Sequence, residues 1–198
     1  MLQRCRPTDR GDLDQTATRL ALAAGQGDRA ALAEFIALTQ ADVWRYLAHL
    51  AGTDQADDLV QDTYLRAMDS LPRFEARCPA RAWLLTIARR VAADRIRHDR
   101  ARPQSPRPTE SLTLLPDAAD DCARVEAAAM LARLSDERRE AFVLTQLMGF
   151  GYQEAAEVCG VPIGTIRSRV ARARAQLVAE WQAVDQPSDP RISVGAGS

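Results

Sequence analysis

Apolar residues recur along most of this chain at three- and four-residue steps, the pattern of helices that bury one face. The clearest run is Leu32, Phe35, Ile36, Val43, Leu47 and Leu50. Asp28 stands where its carboxylate can cap that helix, and Gly52 stops it. Before it, Asp14 can open a helix over 14–24, which Gly25 and Gly27 end. A third helix is predicted from about Asp54 to Leu71, just ahead of Pro72. A fourth should start at Cys78-Pro79, with proline in a favourable first-turn position, and continue to about Arg100. Four more follow: 124–134, a helix opened by Ser135-Asp136-Glu137 and ending near Gly149, 152–159, and 163–182. No strand-type alternation is sustained anywhere, so the fold class is all-α.

The eight helices fall into two blocks. Between them, Pro103, Pro106, Pro108 and Pro116 bar helix and remove backbone donors, which makes 101–122 a flexible Pro-rich linker. The expected organisation is a tail over 1–13, a four-helix domain over 14–100, the linker, a second helical domain over 123–182, and a tail over 183–198.

Composition refines this picture in two ways. Only 5% of the 198 residues are aromatic, so the cores must be built mainly from Ala, Leu, Val and Ile. The net charge of -1 conceals strong sorting. The third helix carries Asp54, Asp57, Asp58, Asp62 and Asp69 against Arg66 alone, whereas 73–107 holds ten Arg and three acids. Every basic residue is Arg, for which a genome rich in G and C is a sufficient cause.

Candidate chemistry is sparse. Cys5, Cys78, Cys122 and Cys159 form no C-x-x-C pair, and His49 and His98 stand alone. The expectation is therefore no metal, no disulfide framework and no cofactor. No nucleophile–base pair or phosphate loop stands out, which argues against an enzyme. No apolar run approaches membrane-span length and residues 1–14 are polar, so a soluble cytoplasmic protein without membrane insertion is expected.

The strongest local signal lies in 152–170. A helix-turn-helix needs a small residue where its helices touch, a glycine able to turn left-handed, and an apolar anchor on the second helix. Ala156, Gly160 and Ile166 supply these at suitable separations, and Cys159 should pack inside the motif. Ile166, Val170, Ala173 and Leu177 then form one buried stripe, from which Thr165, Ser168, Arg169 and Arg172 point away, with Arg167 and Arg174 on its flank. Four Arg and no acid between 163 and 174 suit a helix that reads the major groove; the blander reading is a solvated Arg-rich helix. In the first block, Asp57, Asp58, Gln61 and Asp62 should face outward while Leu59, Thr63 and Ala67 turn in. On the fourth helix Trp83, Leu84, Ile87, Ala88 and Val91 share one side, and Arg89, Arg90, Arg97 and Arg100 another. Asp94 projects near the Trp83/Ile87 direction and is expected to be a paired, partly buried carboxylate.

The order Ala56-Asp57-Asp58-Leu59-Val60-Gln61-Asp62-Thr63-Tyr64-Leu65-Arg66-Ala67, followed by Phe74 and Trp83-Leu84-Leu85-Thr86-Ile87-Ala88-Arg89, resembles region 2 of extracytoplasmic-function (ECF) sigma factors. Residues 134–177, including Gly164-Thr165-Ile166-Arg167-Ser168-Arg169, resemble their region 4. Stretches such as Asp42-Val43-Trp44-Arg45 and Leu144-Thr145-Gln146-Leu147 bring the resemblance nearest, within that family, to the mycobacterial SigC group. It implies an alternative sigma factor that binds core RNA polymerase, recognises −35 and −10 promoter elements and helps melt the −10 region. Asp57, Asp58, Gln61, Asp62 and Leu65 would dock on the β′ clamp helices, and region 4 would meet the β flap. Phe74, Arg77, Cys78, Arg81, Trp83, Arg89, Arg90 and Arg97 would serve −10 DNA, with the 74–80 loop capturing an unpaired base. Thr165, Arg167, Ser168, Arg169, Arg172 and Arg174 would serve the −35 element, and an anti-sigma factor is a further possible partner. The alternative is a helix-turn-helix regulator acting without polymerase. The charge sorting also raises the expectation that the acidic third helix and the acidic end of the linker cover the recognition helix in the free protein.

Overall fold

The computed structural model describes residues 7–101 and 121–184. Most of the expected linker and the C-terminal tail lie outside those residues. All eight expected helices are present: α1 (Pro7–Gly25), α2 (Arg29–Ala51), α3 (Thr53–Ser70), α4 (Ala80–Ala101), α5 (Asp121–Ala132), α6 (Asp136–Phe142), α7 (Tyr152–Cys159) and α8 (Ile163–Val184). No strand occurs among the described residues. Two differences from expectation stand out. Helix α1 begins at Pro7 and not Asp14; proline fixes φ at a helical value and is well suited to a first turn. The helix expected to run from Ser135 to Gly149 is α-helical only to Phe142 and then widens into a π-helical segment, Val143–Leu147.

Local chemistry explains the boundaries. Asp28 accepts from the N–H groups of Ala30 (2.9 Å) and Ala31 (3.0 Å), so it caps α2 as its sequence position implied. Ser135 is the N-cap of α6, yet its hydroxyl makes no capping bond. It is engaged by Glu137, whose carboxyl is held low first by a backbone hydrogen bond and then by Ser135. The start of α4 is pinned from outside: Thr18 on α1 accepts from the Ala80 N–H at 3.0 Å. A side chain at Gly25 would place a Cβ 2.6 Å from the Leu71 carbonyl oxygen, so glycine lets α1 end against the turn after α3.

The first four helices enclose Phe35, Val43, Leu47, Leu59, Leu84, Leu85 and Val91, all at most 2% exposed. Tyr64 joins them, its hydroxyl 2.7 Å from that of Thr39, and burial pushes its pKa up to about 12. The same apolar cluster continues into Ala141, Val143, Leu144, Met148, Phe150, Ala155, Val158 and Ile166 of the second domain. The two domains therefore share a core. They meet mainly where α7 lies along α4, with α6 and the π-helical turn against α2. Burying such a seam removes apolar surface from water on both sides, at roughly 25 cal/mol per Å².

Candidate functional site

Three surfaces matter, and they differ in how free they are. The first is the helix-turn-helix. Gly160 adopts the left-handed conformation (φ 67°, ψ 37°) that closes α7, a geometry a side chain would strain. Glu154 reaches back to the Gly151 N–H at 2.7 Å and so fixes the start of α7. Ala156 is buried at the helix contact, and Ile166, Val170 and Ala173 are at most 1% exposed. Cys159 is buried inside the motif, as its position implied, and burial pushes its thiol up to about 12, with Glu140 adding to the effect. On the opposite side Arg167, Ser168, Arg172 and Arg174 are exposed, while Thr165 and Arg169 are half-buried. Arg174 donates to Gln146 of the π-helical segment.

The second surface is the outer face of α3. Asp57, Asp58, Gln61, Asp62 and Leu65 are all exposed, Leu65 at 57%, whereas Leu59, Thr63 and Ala67 are buried. Asp57 accepts from the Trp44 indole N–H at 2.8 Å, which ties this face to α2. The acidic side chains of α3 thus point to solvent, and the second domain rests on α2 and α4. The expectation that α3 covers the recognition helix is overturned: both faces are exposed, and the packing runs through α4 and α7. The acidic end of the linker lies outside the described residues.

The third surface combines the loop before α4 with α4 itself. Phe74 and Trp83 stand 4.8 Å apart, tilted by 40°, at a cavity of about 360 Å³. Arg73, Glu75, Arg77 and Cys78 complete its lining. The Cys78 thiol is pushed up first by burial and then by Glu157 and Glu154 of α7. Acidic side chains of the second domain therefore stand close to this loop.

The arginines of α4 do not form the open basic face expected of them. Arg81 has a side chain only 7% exposed, bound to Asp14 at 2.6 Å and to Asp42, with the Phe150 ring 5.0 Å over its guanidinium. Burial alone would weaken its charge, but Asp42 and Asp14 outweigh that. Arg89 donates to Glu140 of α6 at 2.7 Å, and the Tyr46 hydroxyl donates to the same carboxylate oxygen at 2.7 Å. Burial raises the Tyr46 pKa well above its ordinary value, and Glu140 adds to the shift. Arg97 is bound to Asp94, which also takes Arg66 at 2.8 Å. Asp94 is paired as expected but is half-exposed and not buried, its carboxyl held low by Arg66 and then Arg97. Of Arg81, Arg89, Arg90 and Arg97, only Arg90 is both exposed and without an ion pair among the described residues; the Arg100 side chain lies outside them. Arg81 is thus held inside the first domain by Asp14 and Asp42, whereas Arg89 is tied across to Glu140 of the second.

Tyr46, Glu140 and Phe150 form this seam, and none of them was singled out from sequence. Tyr46 and Glu140 are 94 positions apart, so no local pattern links them.

Comparison with known proteins fits this division. Residues 35–102 match the family model for Sigma-70 region 2, and residues 124–177 match that for Sigma-70 region 4. Over 177 residues the chain is 50% identical to the ECF RNA polymerase sigma factor SigC of Mycobacterium tuberculosis, covering 87% of this chain and 95% of that protein. This chain belongs to the ECF sigma factors. Among solved structures, the sigma factor resembles RpoE in its complex with the anti-sigma factor NepR from Bartonella quintana. That match has 32% identity and a TM-score of 0.64, and covers 77% of this chain and 97% of that one. It also resembles CnrH in complex with the cytosolic domain of CnrY, at 26% identity and a TM-score of 0.65, covering 85% and 98%. The sigma factor is accordingly a transcription initiation factor and not an enzyme, with the region 2 match running from within α2 to the end of α4 and the DNA-binding helix-turn-helix of region 4 in α7–α8. No helix among the described residues is long and apolar enough to cross a membrane.

Proposed function

We propose that this alternative sigma factor acts by tethering two weak DNA readers to core RNA polymerase. The exposed α3 face, Asp57, Asp58, Gln61, Asp62 and Leu65, docks on the β′ clamp helices, and region 4 engages the β flap. Thr165, Arg167, Ser168, Arg169, Arg172 and Arg174 serve the −35 element. The cavity between Phe74 and Trp83, with Arg77 and Cys78, captures an unpaired −10 base, and Arg90, together with Arg81, Arg89 and Arg97 once released from their carboxylates, holds the strand. The observation that carries this reading is the exposed recognition face of α8 on the same chain as an aromatic-lined pocket that can stack a base.

Each reader alone offers few contacts, and attachment to one polymerase makes their combined binding effectively intramolecular. Chemistry stays with the polymerase, in the cytoplasm. An anti-sigma factor is a fitting further partner, because the structurally similar RpoE is seen in complex with the anti-sigma factor NepR. The test is to add the purified protein to core polymerase and a promoter library, then sequence the transcripts. Initiation at sites sharing two spaced elements is expected. Tight palindrome-specific binding by the protein alone, with no core-dependent transcripts, would instead favour the polymerase-independent regulator.

A further inference from the structure

Arg174 differs from the arginines of α4 in the kind of group that holds it. Arg89 and Arg97 are each tied to a carboxylate, which offsets their charge. Arg174, exposed on α8, donates instead to the side-chain oxygen of Gln146, a neutral acceptor, and forms no ion pair among the described residues. One N–H of the guanidinium is used in this way, while its charge and its other donors stay open to solvent. A neutral partner can therefore orient this arginine without competing for its charge.

The hydrogen bonds behind Gln146 fix which way its amide points. The Thr145 hydroxyl donates to the Ala141 carbonyl at 2.8 Å. Its oxygen is left to accept, and the Gln146 amide nitrogen donates to it at 2.9 Å. With the nitrogen turned to Thr145, Gln146 presents its carbonyl oxygen to α8. This relay sits on the π-helical turn, which is closed by the Met148 N–H on the Val143 carbonyl at 2.9 Å and the Phe150 N–H on the Leu144 carbonyl at 2.8 Å. Widened turns of this kind are rare and occur frequently at functional sites. Val143 and Leu144 are buried and anchor the turn, so that half-buried Gln146 faces α8 from a fixed backbone, 28 positions before Arg174.

We propose that Gln146 is a positioning residue for −35 binding, holding the Arg174 guanidinium in place for a phosphate of the DNA backbone. Arg174 follows Arg167 by two turns along the same edge of α8, about 10 Å further from its start. Residues near the start of a recognition helix meet base edges, whereas its far end meets the backbone. Arg174 thus suits a phosphate, a contact that fixes register and orientation without carrying sequence information. A free arginine side chain loses its rotamer freedom when it binds; one already held by Gln146 has less to lose. The inference rests on the reading of α8 as the −35 helix.

The test uses holoenzyme and −35 duplexes titrated at several salt concentrations. Gln146→Met keeps the length and bulk of the side chain but loses the strong acceptor. It should weaken binding by about threefold to tenfold, the effect of ordering one long side chain during binding and not before it. The loss should be the same for every base substitution in the duplex, and it should vanish where Arg174 is already replaced by Ala. Gln146→Glu should bind more weakly than Gln146→Met at low salt, because its carboxylate holds Arg174 but offsets the charge that the phosphate needs. Native affinity in Gln146→Met, or Gln146→Glu binding as tightly as the native protein, overturns the proposal. So does a loss that persists in the Arg174→Ala background, which would make Gln146 merely structural, and so does a loss confined to one base pair, which would make Arg174 a base reader. Arg174→Ala without effect, where Arg167→Ala still weakens binding, overturns the proposal alone. No effect from either arginine overturns the reading of α8 together with it.

Discussion

The arginines of α4 and those of α8 have the same side chain and the same expected role, but opposite surroundings. On α4, Arg81 is enclosed by Asp14, Asp42 and the Phe150 ring, and Arg89 is held by Glu140 of the other domain. On α8, Arg167 and Arg172 are exposed and form no ion pair among the described residues. Counting positive charges along the chain treats the two helices alike. Available charge is another quantity: a guanidinium already satisfied by carboxylates has to lose those contacts before a phosphate can gain it. Region 4 is ready to read DNA as it stands, while much of the region 2 basic surface holds the protein together.

This contrast can be broken most directly by truncating one arginine from each side. Arg81→Ala leaves Asp14 and Asp42 without their shared cation in a largely buried setting, and should cost about 3–5 kcal/mol in urea unfolding. Arg172→Ala should stay within about 0.5 kcal/mol of the native protein. Equal losses in the two variants would erase the distinction drawn here.

Acid tests the seam from another direction. His49 on α2 is 4% exposed, neither ring nitrogen has a hydrogen-bond partner among the described residues, and burial lowers its pKa to about 4, with Arg139 of α6 and Arg45 adding to the shift. Between pH 6.5 and 4 the unfolded chain takes up a proton that the folded chain refuses, so stability must fall as pH falls through that window. The loss should reach about 3 kcal/mol, and His49→Leu should flatten that part of the profile. A native profile with the same slope as the variant would contradict it.

On the free side of the comparison, Arg167→Ala and Arg172→Ala should each weaken −35 duplex binding by holoenzyme by about 1–3 kcal/mol, read from titrations at several salt concentrations. A phosphate contact will show as a salt slope reduced by about one, a base contact as relaxed sequence preference. Gly160→Ala should cost about 1–2 kcal/mol of thermal stability, because alanine must then take the left-handed turn between α7 and α8.

The helices and the helix-turn-helix were legible in the sequence because both are set by short-range periodicity. The stripe Ile166, Val170, Ala173 and the turn at Gly160 follow from a few neighbouring residues, and so does the outward face of α3. What escaped was set by partners far along the chain. Nothing near Arg81 announces Asp14 and Asp42, which lie 67 and 39 positions away. The π-helical turn at Val143–Leu147 escaped for a related reason: its side chains still repeat like those of a helix, while the backbone spacing yields to packing on α2. The candidate pocket divides in the same manner. Phe74, Arg77, Cys78 and Trp83 were readable from their family pattern, but the left-handed turn at Ala76 and the Glu75–Arg77 ion pair across it were not.

The apolar cluster that runs from α1 through α8 has a consequence for how this protein comes apart. Because the two domains draw on one interior, heat should not melt them one after the other; calorimetry should record a single cooperative transition. The smaller cluster of Leu131, Leu134 and Ala173, with Phe142 and Leu177 beside it, stands outside that interior. Amide exchange should therefore open α5 and the far end of α8 first, leaving the recognition turn protected with the rest of the molecule.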